Sequence, residues 1–146
     1  MHLEMMLEMK EKRFFLNRMK GISYKPNDKK RNTNVSDHGG IYQIHDKNND
    51  WEITGRANAE FFYEDRKTMS HGTIPRKSLV IGWVRIDDEY RGKGFGSKLI
   101  AYVEEEGRKK GMKHSYAVSV MAEAKNFWTK MGYKWSGDER IWIKKL

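Results

Sequence analysis

The fold of this chain is decided by the stretch Leu79-Val-Ile-Gly-Trp-Val-Arg-Ile-Asp-Asp-Glu-Tyr-Arg-Gly-Lys-Gly-Phe-Gly-Ser-Lys-Leu-Ile-Ala-Tyr-Val103. It begins with a β-branched apolar run, passes through acidic residues into Arg91-Gly-Lys-Gly-Phe-Gly96, and ends in a segment with helical spacing of apolar residues. A strand, a glycine turn and a helix in this order form a phosphate-binding site in many proteins. Glycines let consecutive backbone N–H groups converge, and the helix N-terminus adds partial positive charge. The stretch therefore predicts a ligand that carries phosphate.

The spacing of the glycines excludes two common phosphate motifs. The dinucleotide pattern Gly-x-Gly-x-x-Gly fails in both possible registers, because Ser97 or Leu99 stands at its third glycine. The Gly-Lys-Ser/Thr ending of a P-loop is absent. Arg91-x-x-Gly94-x-Gly96 instead resembles the acyl-CoA signature Arg/Gln-x-x-Gly-x-Gly/Ala of the GNAT N-acetyltransferases. An ordinary glycine-rich turn between a strand and a helix is the alternative for a motif this short.

A second landmark follows at the separation typical of that family. After a strand-like segment at 114–120 comes Ala124-Lys-Asn-Phe-Trp-Thr-Lys-Met-Gly-Tyr133. It resembles the family's short helix Ala-x-x-Phe-Tyr-x-x-x-Gly-Phe, which ends at a glycine C-cap before the next strand. The resemblance covers about 79–135, less than half of the chain. It implies an α+β (mixed α/β) fold of the GNAT type, with a mostly antiparallel twisted central sheet that is splayed at a cofactor slot and flanked by helices. It also implies an N-acetyltransferase that uses acetyl-CoA as co-substrate.

The resemblance places the cofactor in a slot between the strands at 79–86 and 114–120. The pantetheine arm would pair with backbone groups at 84–86, which is strand addition and needs no particular side chain. The pyrophosphate would lie on the N–H groups of 92–97, and the thioester carbonyl would face a backbone N–H that stabilises the oxyanion. The implied cofactor-binding residues are Val84, Arg85, Ile86, Arg91, Gly92, Lys93, Gly94, Phe95, Gly96, Ser97 and Asn126.

The catalytic groups depart from the family pattern. The tyrosine that serves as acid in the second landmark is replaced by Trp128, whose indole N–H can donate a hydrogen bond but cannot deliver a proton. The family's base positions correspond to Val80, Gly82 and the neighbourhood of Ser119, and none of these residues titrates. Substitute acids or bases are His71, Tyr116 and Glu123, followed by His114, Glu60 and Glu64. A solvated or structural role is the alternative for each of them.

Composition is consistent with a single cytoplasmic domain over residues 1–146. We divide it into an acceptor-side region at 1–77, a cofactor core at 78–135 and a C-terminal hairpin at 133–146. No apolar run is long enough to span a membrane, and the charged N-terminus differs from a signal peptide. The absence of cysteine excludes disulfides, thiol catalysis and cysteine-ligated zinc, and no metal is expected.

The net charge of +9 has two interpretations. A nucleic acid could be the partner, or the surface could be basic for solubility and for attraction of an anionic cofactor. We favour the second, because the basic residues are dispersed and no RNA-recognition aromatic signature accompanies them. An acyl-CoA-binding module without turnover and a nucleic-acid-modifying enzyme of the same fold remain as alternatives. The amine acceptor is not identified, and a homodimer that completes the N-terminal region is an alternative to a monomer.

The remaining elements are predicted from periodicity and turn residues. We expect a helix over 3–20, a loop over 23–40, a hairpin of 41–46 with 51–54, a strand over 57–64 that is either separate or continuous with 51–54, and a polar loop over 66–77. A helix over about 97–110 should bury Leu99, Ile100, Val103 and Gly107 and end at Gly111. Its outer face should carry ion pairs from Glu104 to Arg108, Glu105 to Lys109 and Glu106 to Lys110.

Overall fold

The structure, a computed structural model, describes residues 34–68, 72–138 and 140–146. The predicted helix over 3–20, most of the predicted loop over 23–40 and the candidate His71 lie outside these ranges. The described strands are β1 Val35–His38, β2 Ile41–Asp46, β3 Glu52–Phe62, β4 Arg66–Thr68, β5 Gly72–Ile74, β6 Ser78–Ile86, β7 His114–Ala117, β8 Lys134–Trp135 and β9 Trp142–Lys145. The described helices are α1 Phe95–Lys109 and α2 Lys125–Lys130, with short 3-10 turns at Asp88–Tyr90 and Ala122–Ala124.

Seven of these strands form one sheet in the order β1-β2-β3-β6-β7-β9-β8. Every neighbouring pair is antiparallel except β6 and β7, which are parallel and are connected by α1. The predicted mixed fold with a mostly antiparallel sheet is thereby confirmed. The only parallel pair of the described sheet is also the place where the two halves of the sheet meet.

Two predicted loops contain strands. β1 lies inside the predicted loop over 23–40, and β4 and β5 pair as a separate small hairpin inside the predicted loop over 66–77. These strands are only three or four residues long and largely polar, so their composition resembles that of loops. The segments at 51–54 and 57–64, which the sequence left as either one strand or two, form one continuous strand, β3. Its pairing with β2 is irregular between Ile44 and His45.

The helix α1 covers the sheet as predicted. Leu99, Ile100 and Val103 are fully buried, and an added Cβ at Gly107 would lie 3.3 Å from Leu79 on the central strand. The helix starts two residues earlier than predicted, at Phe95, and Gly111 follows its end with a φ of +79°. Close approach of α1 to β6 therefore depends on a small residue at 107.

The predicted ion pair of Glu104 with Arg108 is wrong. Glu104 is only 2% exposed, accepts a hydrogen bond from the Tyr133 hydroxyl at 2.8 Å, and pairs with the Lys144 ammonium at 3.0 Å. Ser115 lies 2.7 Å from the same hydroxyl. Burial first, and the adjacent Glu104 carboxylate second, raise the pKa of Tyr133. This cluster ties α1 to β7 and β9 beneath the sheet.

The C-terminal elements match the prediction. The helix α2 ends before Gly132, which has a φ of +91°, and β8 and β9 form the closing hairpin. None of the helices in the described ranges has the length and apolar composition that crossing a bilayer requires.

Candidate functional site

The candidate site begins where β6 and β7 part. Their pairing runs from Ser78 opposite His114 to Ile81 opposite Ala117, and a last hydrogen bond joins the Val118 N–H to the Ile81 carbonyl at 3.1 Å. β7 then ends, whereas β6 continues to Ile86 with its other edge still paired to β3. The edge of β6 over 82–86 is consequently open, and a groove of about 790 Å³ lies along it.

A bulge in β6 stands at the apex of this groove. Trp83 pairs with Asn58 and Ile81 pairs with Ala59, which leaves Gly82 as an extra residue without a partner on β3. An added Cβ at Gly82 would lie 2.7 Å from the Asn58 side-chain oxygen. The amide of Asn58 therefore lies directly against Gly82, the residue that follows the last paired residue of β6 and β7.

The glycine turn closes one end of the groove. Gly92 and Gly94 have φ values of +74° and +85°, in the left-handed region that glycine tolerates. α1 starts immediately after Gly94, so the first N–H groups of the helix have no acceptor within it. Arg91 is held over the turn, because its Nε donates to the Ile86 carbonyl at 3.2 Å and its guanidinium lies 3.3 Å from the exposed Asp88 carboxylate.

Tyr90 supports this turn, a role that the sequence did not indicate. Its ring is 6% exposed, lines the groove and packs edge-to-face against Phe95 at 5.5 Å. Its hydroxyl accepts a hydrogen bond from the Asn49 side chain at 2.6 Å and donates one to Glu52 at 3.2 Å. Both partners lie about forty positions earlier in the chain, so no local pattern could have indicated this role.

The opposite wall consists of residues 118–121 and α2. An added Cβ at Gly96 would lie 3.3 Å from the Phe127 ring, so the two helices meet closely at the floor of the groove. Trp128 is 5% exposed and packs edge-to-face against Phe127 at 5.1 Å and against Tyr133 at 4.8 Å. Ser119, directly after the parting point, has a φ of +56°, a conformation that is unusual for a non-glycine residue and is concentrated at functional sites.

The charges around the groove favour an anion. Arg85, Arg91 and Lys130 line it, and Glu123 is the one carboxylate among its described lining residues. Lys93 adds a further cation close by, with its Nζ 5.7 Å from the centre of the Tyr90 ring. Among the described residues there is no group of three side chains that could hold a metal ion.

Most of the expected cofactor residues come together in this groove. The lining includes Val84, Arg85, Ile86, Arg91, Gly92, Gly94, Phe95, Gly96 and Ser97. Lys93 and Asn126 are outside the lining, and both are exposed. The lining also includes Tyr90, Val118, Val120, Met121 and Lys130, for which the sequence indicated no role. Val118 and Val120 nevertheless belong to the segment at 114–120, which was expected to form one side of the cofactor slot.

The catalytic candidates are dispersed. Glu123 lines the groove, whereas Tyr116 and His114 are absent from its lining. Burial raises the pKa of Tyr116. Glu60 is paired with Arg66 at 3.1 Å on the surface, and Glu64 is exposed beyond the end of β3.

The chain is similar to proteins of a known enzyme family. A model of the acetyltransferase (GNAT) family matches residues 4–133. No curated protein matches the chain significantly.

Solved structures share the fold at low sequence identity. An acetyltransferase of the GNAT family from Staphylococcus aureus Mu50 is 15% identical, with a TM-score of 0.57 over 80% of this chain and 70% of that one. An acetyltransferase from Bacillus cereus ATCC 14579 is 19% identical, with a TM-score of 0.54 over 95% and 90% of the two chains. A GNAT family acetyltransferase from Brucella melitensis, solved in complex with acetyl-CoA, is 12% identical, with a TM-score of 0.51 over 73% of this chain and 57% of that one.

Proposed function

The chain belongs to the acetyltransferase (GNAT) family, and from this premise we propose that it transfers the acetyl group of acetyl-CoA to the amine of an acceptor. The observation that carries the proposal is the open edge of β6 immediately beside the glycine turn. Acetyl-CoA has a pyrophosphate at one end of a chain of amides and a thioester at the other. The groove offers a matching order of groups, from the turn at 92–97 to the bulge at Gly82.

The phosphate end would be held mainly by backbone. The N–H groups at the start of α1 have no acceptor within the helix and carry the positive end of its dipole. Arg91 supplies a charged hydrogen bond, and Lys93 raises the local positive potential. An exposed contact of the Arg91 kind contributes about 1 to 3 kcal/mol, so we assign most of the affinity to the backbone.

The amide arm would extend the sheet. Val84 and Ile86 lean towards the core and α1, so the arm needs only the unpaired backbone groups of β6. At the far end of the arm, the thioester carbonyl would reach the bulge at Gly82 and Trp83. A bulge leaves backbone N–H groups without a ladder partner, and such a group can stabilise the oxyanion that forms when the amine attacks.

The proton transfers follow from the groups that the groove contains. A lysine-like amine has a pKa of about 10.4, so removing its proton at neutral pH costs roughly 4 to 5 kcal/mol. We propose that water carries this proton from the amine to Glu123, the carboxylate among the described lining residues. The amine nitrogen then bonds to the acetyl carbon and the carbon–sulfur bond breaks. The nitrogen gives its second proton to water, and the thiolate takes a proton from water. Trp128 packs beneath the groove and holds no transferable proton.

Two measurements test this proposal. Calorimetry should show micromolar binding of CoA to the wild-type chain, with Arg91→Ala weakening it by about 1 to 3 kcal/mol. Release of the CoA thiol from acetyl-CoA can then be followed with a thiol-reactive dye against a panel of amines, without background because the protein has no cysteine. An absence of CoA binding by the folded protein overturns the proposal. Binding without acetyl transfer to any amine would make the chain an acyl-CoA-binding module.

The compartment is part of the same proposal. We propose a cytoplasmic location, with which the absence of cysteine is compatible.

A further inference from the structure

Two arginines lie directly opposite each other beside the groove. Arg56 on β3 pairs with Arg85 on β6, and residues opposite one another in an antiparallel ladder have their Cβ atoms only about 4.5 to 5.5 Å apart. Both point away from α1, because the adjacent pair of Ala57 and Val84 packs into the core on the other face. Two like charges are therefore placed side by side on the sheet face that α1 leaves uncovered.

No carboxylate in the described part of the chain lies within ion-pair distance of either arginine. Neither arginine makes an ion pair or a side-chain hydrogen bond among the described residues. The next residue in the same row is the neutral Gln43, and Glu60, further along β3, is already paired with Arg66. Like charges directly opposite each other destabilise a sheet, so this arrangement is a cost to the fold unless something anionic binds there.

The pair lies along β6 between the proposed point of reaction at Gly82 and the glycine turn. Arg85 lines the groove, and so does Trp83, which is 45% exposed and lies two residues nearer the bulge on the same face. Two strand residues span about 7 Å. An acceptor whose amine reaches the bulge at Gly82 from this face would thus carry its other groups across Trp83 towards the two guanidinium groups.

We infer that the acceptor bears an oxyanion, a carboxylate or a phosphate, and that Arg56 and Arg85 bind it. This inference rests on the proposed acetyl transfer and names the chemical class of its acceptor. Arginine suits the role because its planar guanidinium binds carboxylate and phosphate in a bidentate manner and stays charged at all relevant pH values. The site is distinct from the phosphate site at 92–97, because the two arginines lie on the face of the sheet away from α1, whereas the phosphate site is made largely of backbone at the start of α1.

Matched acceptor pairs test the inference with the full chain. L-lysine and cadaverine differ by a carboxylate, and O-phosphoethanolamine and ethanolamine differ by a phosphate. We expect kcat/KM for thiol release to be about tenfold or more higher for the anionic member of at least one pair, the scale of a charged hydrogen bond. The pair that shows the preference identifies the anion as carboxylate or phosphate.

The Arg56→Gln variant separates recognition of the anion from the rest of the site. It should remove the preference, lowering kcat/KM for the anionic member at least tenfold and for its uncharged partner less than twofold, with the CoA dissociation constant unchanged. Arg108→Gln on the outer face of α1 removes the same charge and serves as the control, because Arg108 pairs with Glu105 away from the groove. An equal loss in both variants would mean general electrostatic attraction and would overturn the inference.

A binding measurement covers the case in which none of the four amines is acetylated. The CoA-saturated protein is titrated calorimetrically with O-phosphoethanolamine and with L-lysine. Because CoA already occupies the phosphate site, any binding that is measured occurs at another site. At least one of them should bind, and Arg56→Gln should weaken that binding tenfold or more. Equal binding by wild type and variant, or no binding of either compound, overturns this inference and leaves the acetyl-transfer proposal to its own test. Failure to bind CoA overturns that proposal instead.

Discussion

Replacing Gly94 by alanine is expected to weaken CoA binding more than it weakens the fold. Gly94 precedes α1 with φ +85° and ψ 5°, and an added Cβ there would meet no atom within 4 Å. The cost is therefore backbone strain and not collision. Alanine in the left-handed region costs about 1 to 2 kcal/mol, and its smaller freedom in the unfolded chain returns about 0.4 to 1 kcal/mol. Because the exposed turn of the free protein can relax and avoid much of this strain, we expect a net loss of stability below about 1 kcal/mol, which lowers Tm by at most a few degrees.

The loss in affinity follows from the same strain. If the alanine variant relaxes towards a right-handed conformation, the N–H groups at the start of α1 no longer point together at the groove. Restoring that arrangement on binding costs the strain energy of about 1 to 2 kcal/mol, which corresponds to a roughly 5- to 30-fold weaker dissociation constant.

Gly96→Ala is the matched control for this variant. Gly96 lies inside the helix with an ordinary φ, and an added Cβ would be 3.3 Å from the Phe127 ring and 3.4 Å from Ile86 Cγ1. Those side chains must shift by a few tenths of an ångström, while alanine adds up to about 1 kcal/mol of helix propensity. We expect a change in CoA affinity of less than about threefold, by calorimetry. If Gly94→Ala binds CoA as tightly as wild type, or if both variants lose affinity equally, the assignment of this turn as a strained phosphate cradle is refuted.

Three further predictions concern Trp128 at the family's acid position, the buried ion pair of Glu104 and Lys144, and the basic surface. Trp128→Phe should change the rate or the stability but leave the pH profile of turnover unaltered; a limb of the profile that disappears would show that Trp128 takes part in proton transfer. Glu104→Ala should lower the free energy of unfolding by about 3 to 5 kcal/mol in a urea titration, because it leaves Lys144 facing a buried site without its partner; a loss below about 1 kcal/mol would mean that the pair is solvated. Neutralising the basic cluster at 29–31, which lies outside the described residues, should leave activity unchanged, and any nucleic-acid binding should be weak and compete with CoA. Binding that persists with CoA present and falls linearly with salt on a log–log scale would favour a nucleic-acid partner.

The sequence alone determined the parts of this protein that depend on local geometry. The glycine turn, α1 and the short helix before Gly132 could be predicted, because positive φ values, helical spacing and the end of a helix are each specified within a few residues. Family resemblance implied that the cofactor pairs with the backbone of Val84 to Ile86. The structure provides the open strand edge that such pairing requires, because β6 and β7 part after Ile81 and Ala117.

Tertiary structure decided what depends on partners far along the chain. β1 and the hairpin of β4 and β5 are too short and polar to be distinguished from loops by pattern. Glu104 fitted an exposed helical ion pair by spacing, but its partner is Lys144, forty positions later, and burial among β7 and β9 made the distant pair the one that forms. The opposition of Arg56 and Arg85 likewise depends on strand register, which the bulge at Gly82 shifts by one residue. Local propensity fixes where elements begin and end, whereas the faces they present and the charges they bring together are fixed only when the sheet is assembled.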